Sequence, residues 1–195
     1  MTLQTVPLDA PAGVTARLGW DPATSVHDRR RILAKELIAA KLGCDTTAVR
    51  IEREAPRGFG YHTRLIASRD GVDLPISIVT ASYRAATVAA ICDPELPLGI
   101  DIRDLTPDDA DLRLMRKHSH LFDLTNTADL LQHWVRVQAV LEADGRGVRV
   151  APERVRLDMG RHKGWIPDHN MKYEIVDASR DGWVITMAVG ALPKK

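Results

Sequence analysis

An α+β fold is predicted by three features of this 195-residue sequence. Residues 27–43 and 129–143 carry apolar side chains at the about 3.6-residue spacing of helices with one buried face. Short runs rich in β-branched and small apolar residues lie between and after them, bounded by turn-forming clusters. The elements are grouped as helix, strands, helix, helix, strands, which reads as α+β, with a mixed α/β sheet as the alternative.

Each element has its own local reason. Residues 1–25 are punctuated by Pro and Gly, with Leu18 and Trp20 in a short strand. HDRRRILAKELIAAKLG (27–43) is a helix with Ile32, Leu33, Leu37, Ile38 and Leu42 on its stripe and Gly43 as its stop. AVRIERE (48–54) is a strand and PRGFG (56–60) a turn. TRLIAS (63–68), PISIVTAS (75–82) and AATVAAICD (85–93) are strands, the first followed by a tight turn at RDG (69–71). LPLGIDIRDL (96–105) is a further strand in which Gly99 allows close backbone approach. TPDDADLRLMRKHSHLF (106–122) is helical, with Thr106 as N-cap and acidic residues in the first turn. The helix from about Asp129 to Ala143 sets Leu130, Trp134, Val137 and Leu141 on one stripe, and DGRG (144–147) ends it. After a variable segment, KYEIVDA (172–178), SRDG (179–182) and WVITMAVG (183–190) form a closing hairpin.

Composition narrows the function classes. Hydrophobic residues make up 45% and charged residues 27%, ordinary for a globular chain, and the net charge of +1 provides no global field for nucleic acid or anionic membrane. Arg far outnumbers Lys among the basic residues, which suits phosphate and carboxylate forks and equally a GC-rich coding sequence. Cys44 and Cys92 form no C-x-x-C pair, no membrane span is present and the N-terminus lacks a secretion signal, so a cytoplasmic location is expected. His118 and His120 flank a serine, but two histidines without a third ligand are a weak zinc signal. Tyr83 and Arg84 suit a cleft wall or ordinary packing, and no P-loop, dinucleotide fingerprint or G-x-S-x-G is present.

Three segments in order carry the candidate chemistry: SIVTAS (77–82), PLGIDIRD (97–104) and WVRVQAVLEADGRG (134–147). Together with the closing hairpin they resemble the surfactin-type 4′-phosphopantetheinyl transferases, over roughly residues 27–190. That family shows a Ser-His stretch, then Gly-Val/Ile-Asp-x-Glu, then Trp-x-x-Lys-Glu-Ala-x-x-Lys-x-x-Gly-x-Gly. The resemblance implies a transferase-like fold, a pseudo-two-fold pair of small α/β halves, here 1–96 and 97–195, with a coenzyme A cleft between them. It also implies an aspartate and two glutamates holding Mg²⁺ on the pyrophosphate of coenzyme A. A glutamate or its water then deprotonates a carrier-protein serine, and a lysine assists the departing 3′,5′-ADP. Positioning and charge neutralisation supply most of the catalysis in such transfers.

The frame is matched and the chemistry is not. Gly99 and Asp101 match, and so do Trp134, Ala139, Leu141, Gly145 and Gly147. Arg103 stands where the family has glutamate, Gln138 where it has glutamate, Glu142 where it has lysine, and Ala81 where it has histidine. Asp101, Arg103, Gln138 and Glu142 sum to −1 with no metal. A guanidinium on the same strand face as Asp101, ~4 Å from a divalent ion, costs on the order of 8 kcal/mol at an effective dielectric of about 20. Mg²⁺ is therefore not expected to bind in the family's way, and Asp104 points to the other face. Arg103 is expected to bridge Asp101 and Glu142 as an internal cation in place of the metal. Solvated or capping roles are the alternatives for these residues. In the first half, the resemblance places Arg29, Arg30 and Arg31 at the 3′-phosphate of coenzyme A, with Thr80 and Ser82 also at the cofactor; a solvated charge run is the alternative for the arginines.

Three functions follow as expectations. The first is a repurposed, metal-independent enzyme doing acid–base work, such as cyclisation, dehydration or isomerisation, on a small-molecule or carrier-linked intermediate of natural product biosynthesis. Its catalytic residues are Asp101, Arg103, Gln138 and Glu142, with no metal and no cofactor. A carboxylate beside an arginine has a lowered pKa, which suits a base. The second is a non-catalytic binder of a carrier protein or coenzyme A. The third is a divergent active transferase using coenzyme A and Mg²⁺. Neither nucleic acid nor membrane is an expected partner.

Overall fold

The computed structural model describes residues 3–53, 64–118, 126–146, 149–180 and 182–191. It divides into two compact units, Met1–Pro94 and Glu95–Lys195.

Helix α1 (Val26–Leu42) organises the first unit, and both of its ends are fixed by local chemistry. The Asp28 amide donates to Ser25 Oγ at 3.1 Å, capping the start, and Gly43 ends the helix at φ 62°, a conformation that favours glycine. Leu33, Ala34, Leu37, Ile38 and Ala39 form its buried face. Ile32, expected on that stripe, is exposed. The helix lies on an antiparallel sheet built from β1 (Gln4–Leu8), β2 (Thr15–Trp20), β3 (Arg50–Arg53), β4 (Leu65–Arg69), β5 (Val72–Asp73), β6 (Ser77–Tyr83) and β7 (Ala86–Cys92). The strand order is β1-β2-β7-β6-β4-β3, with β5 pairing β4. Strand β7 is buried along its whole length, which its small and β-branched residues permit without steric crowding. Asp70 and Gly71 turn the chain between β4 and β5 with φ of 52° and 78°, the positive values that a two-residue hairpin turn requires.

The second unit has a five-stranded antiparallel sheet of β8 (Leu98–Asp104), β9 (Arg156–Leu157), β10 (Lys163–Trp165), β11 (Lys172–Asp177) and β12 (Trp183–Val189), in the order β8-β12-β11-β10-β9. Two helices precede β9: α2 (Asp109–Lys117) and α3 (Thr127–Asp144). Helix α3 packs on β8 and β12, with Leu130, Trp134, Val137 and Leu141 all buried as their spacing predicts. Asn126 caps its start and Gly145, at φ 76°, its end. The chain is thus α+β, with two antiparallel sheets. Among the described residues no helix is long and apolar enough to cross a membrane.

Several local expectations are corrected. Thr106 does not cap α2: Asp108 does, because its carboxylate reaches the Asp111 amide, while Thr106 donates twice to Asp104 Oδ1 in a local turn. Ala48 belongs to a short 3-10 turn, Thr46–Ala48, capped by Asp45, rather than to the following strand. Strand β1 arises in the Pro-punctuated N-terminal stretch and tolerates Pro7 because it is an edge strand. Strands β9 and β10 occupy the segment read as variable; they are short and have no alternating pattern long enough to detect. The turn at 56–60, residues 119–122 of the second expected helix, His120, Gly147 and Asp181 lie outside the described residues.

Candidate functional site

Gly99 explains how β8 and α3 come together. A Cβ there would lie 2.1 Å from the Ala139 carbonyl oxygen, 2.3 Å from the Ala143 nitrogen and 2.8 Å from Glu142 Cβ, so only glycine permits the helix backbone to sit directly on the strand. Side chains alternate along a strand, so Asp101 and Arg103 share the face of Gly99 that meets the helix. Asp104 is on the opposite face and is engaged by Thr106.

Asp101 and Arg103 are an ion pair, with Arg103 Nη1 3.1 Å from Asp101 Oδ1. The same nitrogen donates to the Ile102 carbonyl at 2.8 Å. Asp101 is buried, and its second oxygen, Oδ2, is buried without a hydrogen-bond partner among the described residues. Burial raises the carboxyl to about 7; Arg103 and a hydrogen bond from the Ile102 backbone oppose that rise, and the Glu142 charge adds to it. Arg103 pulls the pKa down as expected, but the expectation of a net lowered carboxyl is corrected, because burial outweighs it. Removing the carboxylate from water costs more than one cation and one amide return. Asp101 is consequently poised between its acid and base forms near neutrality.

The other second-unit candidates have distinct positions. Glu142 is on the exposed side of α3 and acts on Asp101 as a like charge. Gln138, one helical turn earlier, is half-buried and makes no hydrogen bond to the other three among the described residues. Thr186 was not singled out from the sequence. It sits directly opposite Asp101 on β12 and is one of the few buried polar side chains. Cross-strand partners share a face, so its hydroxyl belongs to the surroundings of Asp101. A threonine inside the apolar run WVITMAV was the available signal.

The first-unit candidates separate by role. Arg29 is buried and built into the fold: Nε donates to Thr87 Oγ1 at 3.1 Å, Nη1 to the carbonyls of Asp21 at 3.0 Å and of Thr24, and Nη2 to the Arg84 carbonyl at 2.7 Å. These bonds tie α1 to the loop before it and to the turn after β6, so its assignment to a cofactor phosphate is corrected to a structural one. Arg30 donates from Nε to Ser82 Oγ at 3.2 Å, and Ser82 Oγ lies 3.0 Å from Thr87 Oγ1. Burial, followed by the neighbouring Arg53 and Arg29 charges, lowers the Arg30 pKa. Arg31 Nε is buried and unpartnered among the described residues. Thr80 is half-buried on β6, two residues before Ser82 and on the same strand face.

These donors do not fit a divalent ion. The aspartate is engaged by a guanidinium, and among the described residues no group of three or more His, Cys, Asp or Glu side chains is arranged to hold a metal. No protein-family model and no curated protein matches the chain.

Proposed function

We propose that this protein is a metal-independent acid–base catalyst on a 4′-phosphopantetheinyl-transferase-like scaffold, with Asp101 as the proton-transferring group. The observation that carries this reading is the Asp101 carboxyl itself: buried, raised to about 7, and holding one oxygen that no described residue engages. A carboxyl in that state gives and accepts protons near neutral pH, which is what general acid–base work requires. Arg103 engages Oδ1, Oδ2 is buried with no partner among the described residues, and Thr186 supplies a hydroxyl on the same face. Glu142 tunes Asp101 by its charge. The reactions that suit one buried carboxyl and one orienting cation are cyclisation, dehydration or isomerisation of a small-molecule or carrier-linked intermediate.

Support for the scaffold comes from the order of the three segments and from the two units, each with a long helix on an antiparallel sheet. The arginine on Asp101 stands where the family's chemistry needs metal-binding carboxylate. The deciding experiment is calorimetric titration of coenzyme A into the protein with Mg²⁺ and then with EDTA. This reading expects no Mg²⁺-dependent binding. Tight binding that vanishes with EDTA would sink it and restore the transferase reading. Equal binding in both buffers, with an Asp101 carboxyl that titrates in the ordinary carboxylate range, would leave the protein as a non-catalytic binder.

A further inference from the structure

A second cluster, at the end of α3, plays no part in the reading above and stands apart from it. Asp144, the last residue of the helix, has a side chain with 0% exposure and is surrounded by donors. Arg146 Nε reaches its Oδ2, and Arg146 Nη2 lies 3.2 Å from Oδ1. His169 Nδ1 is 2.6 Å from Oδ1, and the Tyr173 hydroxyl donates to the same oxygen at 3.5 Å. Asp168 in turn engages Arg146 Nη1 at 3.1 Å and Arg154 Nη2 at 3.4 Å.

The Asp144 carboxylate is held ionised. Burial pushes its pKa up, but the hydrogen bonds from Arg146 and then His169 outweigh burial and bring it below the usual carboxylate range. Tyr173 is pushed up to about 12, first by burial and then by the Asp144 charge, so it remains a neutral hydroxyl. An ionised carboxylate on Nδ1 makes that nitrogen a donor and leaves the lone pair on Nε2. The His169 side chain is 41% exposed, so this lone pair is reachable from solvent. The pair formed by His118 Nδ1 and Glu153 Oε1 at 2.5 Å has a partly exposed carboxylate in place of the buried one.

We propose that Asp144 and His169 form a second reactive centre, in which His169 Nε2 is a nucleophile toward small activated acyl esters. Nε2 attacks the carbonyl carbon and forms a C–N bond; the C–O bond to the leaving alkoxide or aryloxide breaks, and its electron pair departs with that oxygen. The resulting acyl-imidazolium is stabilised by the Asp144 carboxylate. Water then adds to the acyl carbon, the C–N bond breaks, and the carboxylic acid, one proton and the neutral imidazole are released. Asp144, Arg146, Asp168, Arg154 and Tyr173 are the charged and titratable groups of the cluster around the ring.

The probe is 4-nitrophenyl acetate with the full chain. Its hydrolysis should exceed that by the same concentration of free 4-methylimidazole. His169→Asn keeps a donor toward Asp144 but has no Nε2, and should lower the second-order rate constant by about tenfold or more. His118→Asn should leave it unchanged. A His169→Asn protein that keeps more than half of the rate, or a wild-type rate no greater than that of free 4-methylimidazole, overturns the proposal. Nitrogen-15 NMR of wild-type His169 provides a test independent of any variant's folding. A proton on Nδ1 is expected, and an Nε2–H tautomer would overturn the proposal equally.

Discussion

Arg29 in the first unit and Asp101 in the second are both buried charges, and their surroundings treat them in opposite ways. Arg29 donates to three backbone carbonyls and one hydroxyl, so its burial is compensated by groups that themselves need donors. Asp101 has one cation on one oxygen and nothing from the described residues on the other, so its burial appears as a carboxyl raised to about 7. A charge buried for stability is met on every side, because each unmet polar group costs about 1–3 kcal/mol. Asp101 is not met in this way among the described residues, and burial raises its pKa.

The sharpest way to break the comparison is to remove Arg29. Arg29→Met strips donors from the carbonyls of Asp21, Thr24 and Arg84 and is expected to cost about 3–5 kcal/mol, read as a lower denaturant midpoint. A loss below about 1 kcal/mol would mean that water satisfies these groups and that Arg29 is free for another role. Gly99→Ala comes next. The added methyl meets helix backbone at 2.1 and 2.3 Å, and backbone cannot rotate away as a side chain can. Thermal unfolding should show a loss of about 3 kcal/mol. An unperturbed melting temperature would mean that α3 slides on β8 and that the Asp101 environment is not fixed by this contact.

The sequence made the elements legible where local chemistry and pattern agreed. Gly43 and Gly145 stopped their helices because a left-handed residue is needed at each end, and the α3 stripe was buried as its spacing required. Strands β9 and β10, two and three residues long, were not legible because tertiary pairing rather than periodicity makes them strands. The Asp101–Arg103 pair was legible from the two-residue alternation of a strand. The direction of the Asp101 shift was not, because it depends on burial that no neighbouring letter encodes. Arg29, Arg30 and Arg31 read as one basic run, yet helical geometry sends consecutive residues to different sides, and Arg29 points into the core. The Asp144–His169 pair spans 25 residues of sequence and left no local trace.

Smaller in free energy but closer to the chemistry is the pH dependence of Asp101. Its folded-state pKa, about 7, lies above the unfolded 3.8, so the folded state binds the extra proton between those values. Stability therefore falls as pH rises through that window, and the loss is complete above the upper value. Asp101→Asn removes this dependence. The raised value already includes the contact to Arg103, so above neutrality the variant should be the more stable protein, and near pH 4 the gain vanishes. Parallel melting curves for the two proteins across that range would contradict the raised pKa and bring Asp101 into line with Arg29 as a satisfied structural charge.

The smallest effect isolates the electrostatics from the packing. Glu142 is exposed and raises the Asp101 carboxyl only by its charge, so Glu142→Gln preserves the shape of the α3 surface and removes one like charge. The Asp101 midpoint, followed by carbon-13 NMR of its carboxyl, should move down in the variant and remain above the ordinary carboxylate value, because burial is the larger cause. Added salt should narrow the difference between the two proteins, since an exposed charge is screened while the desolvation of Asp101 is not. If the midpoint instead returned to the ordinary range, Glu142 rather than burial would be holding the proton on Asp101. The contrast with Arg29 would then reduce to a difference in neighbours.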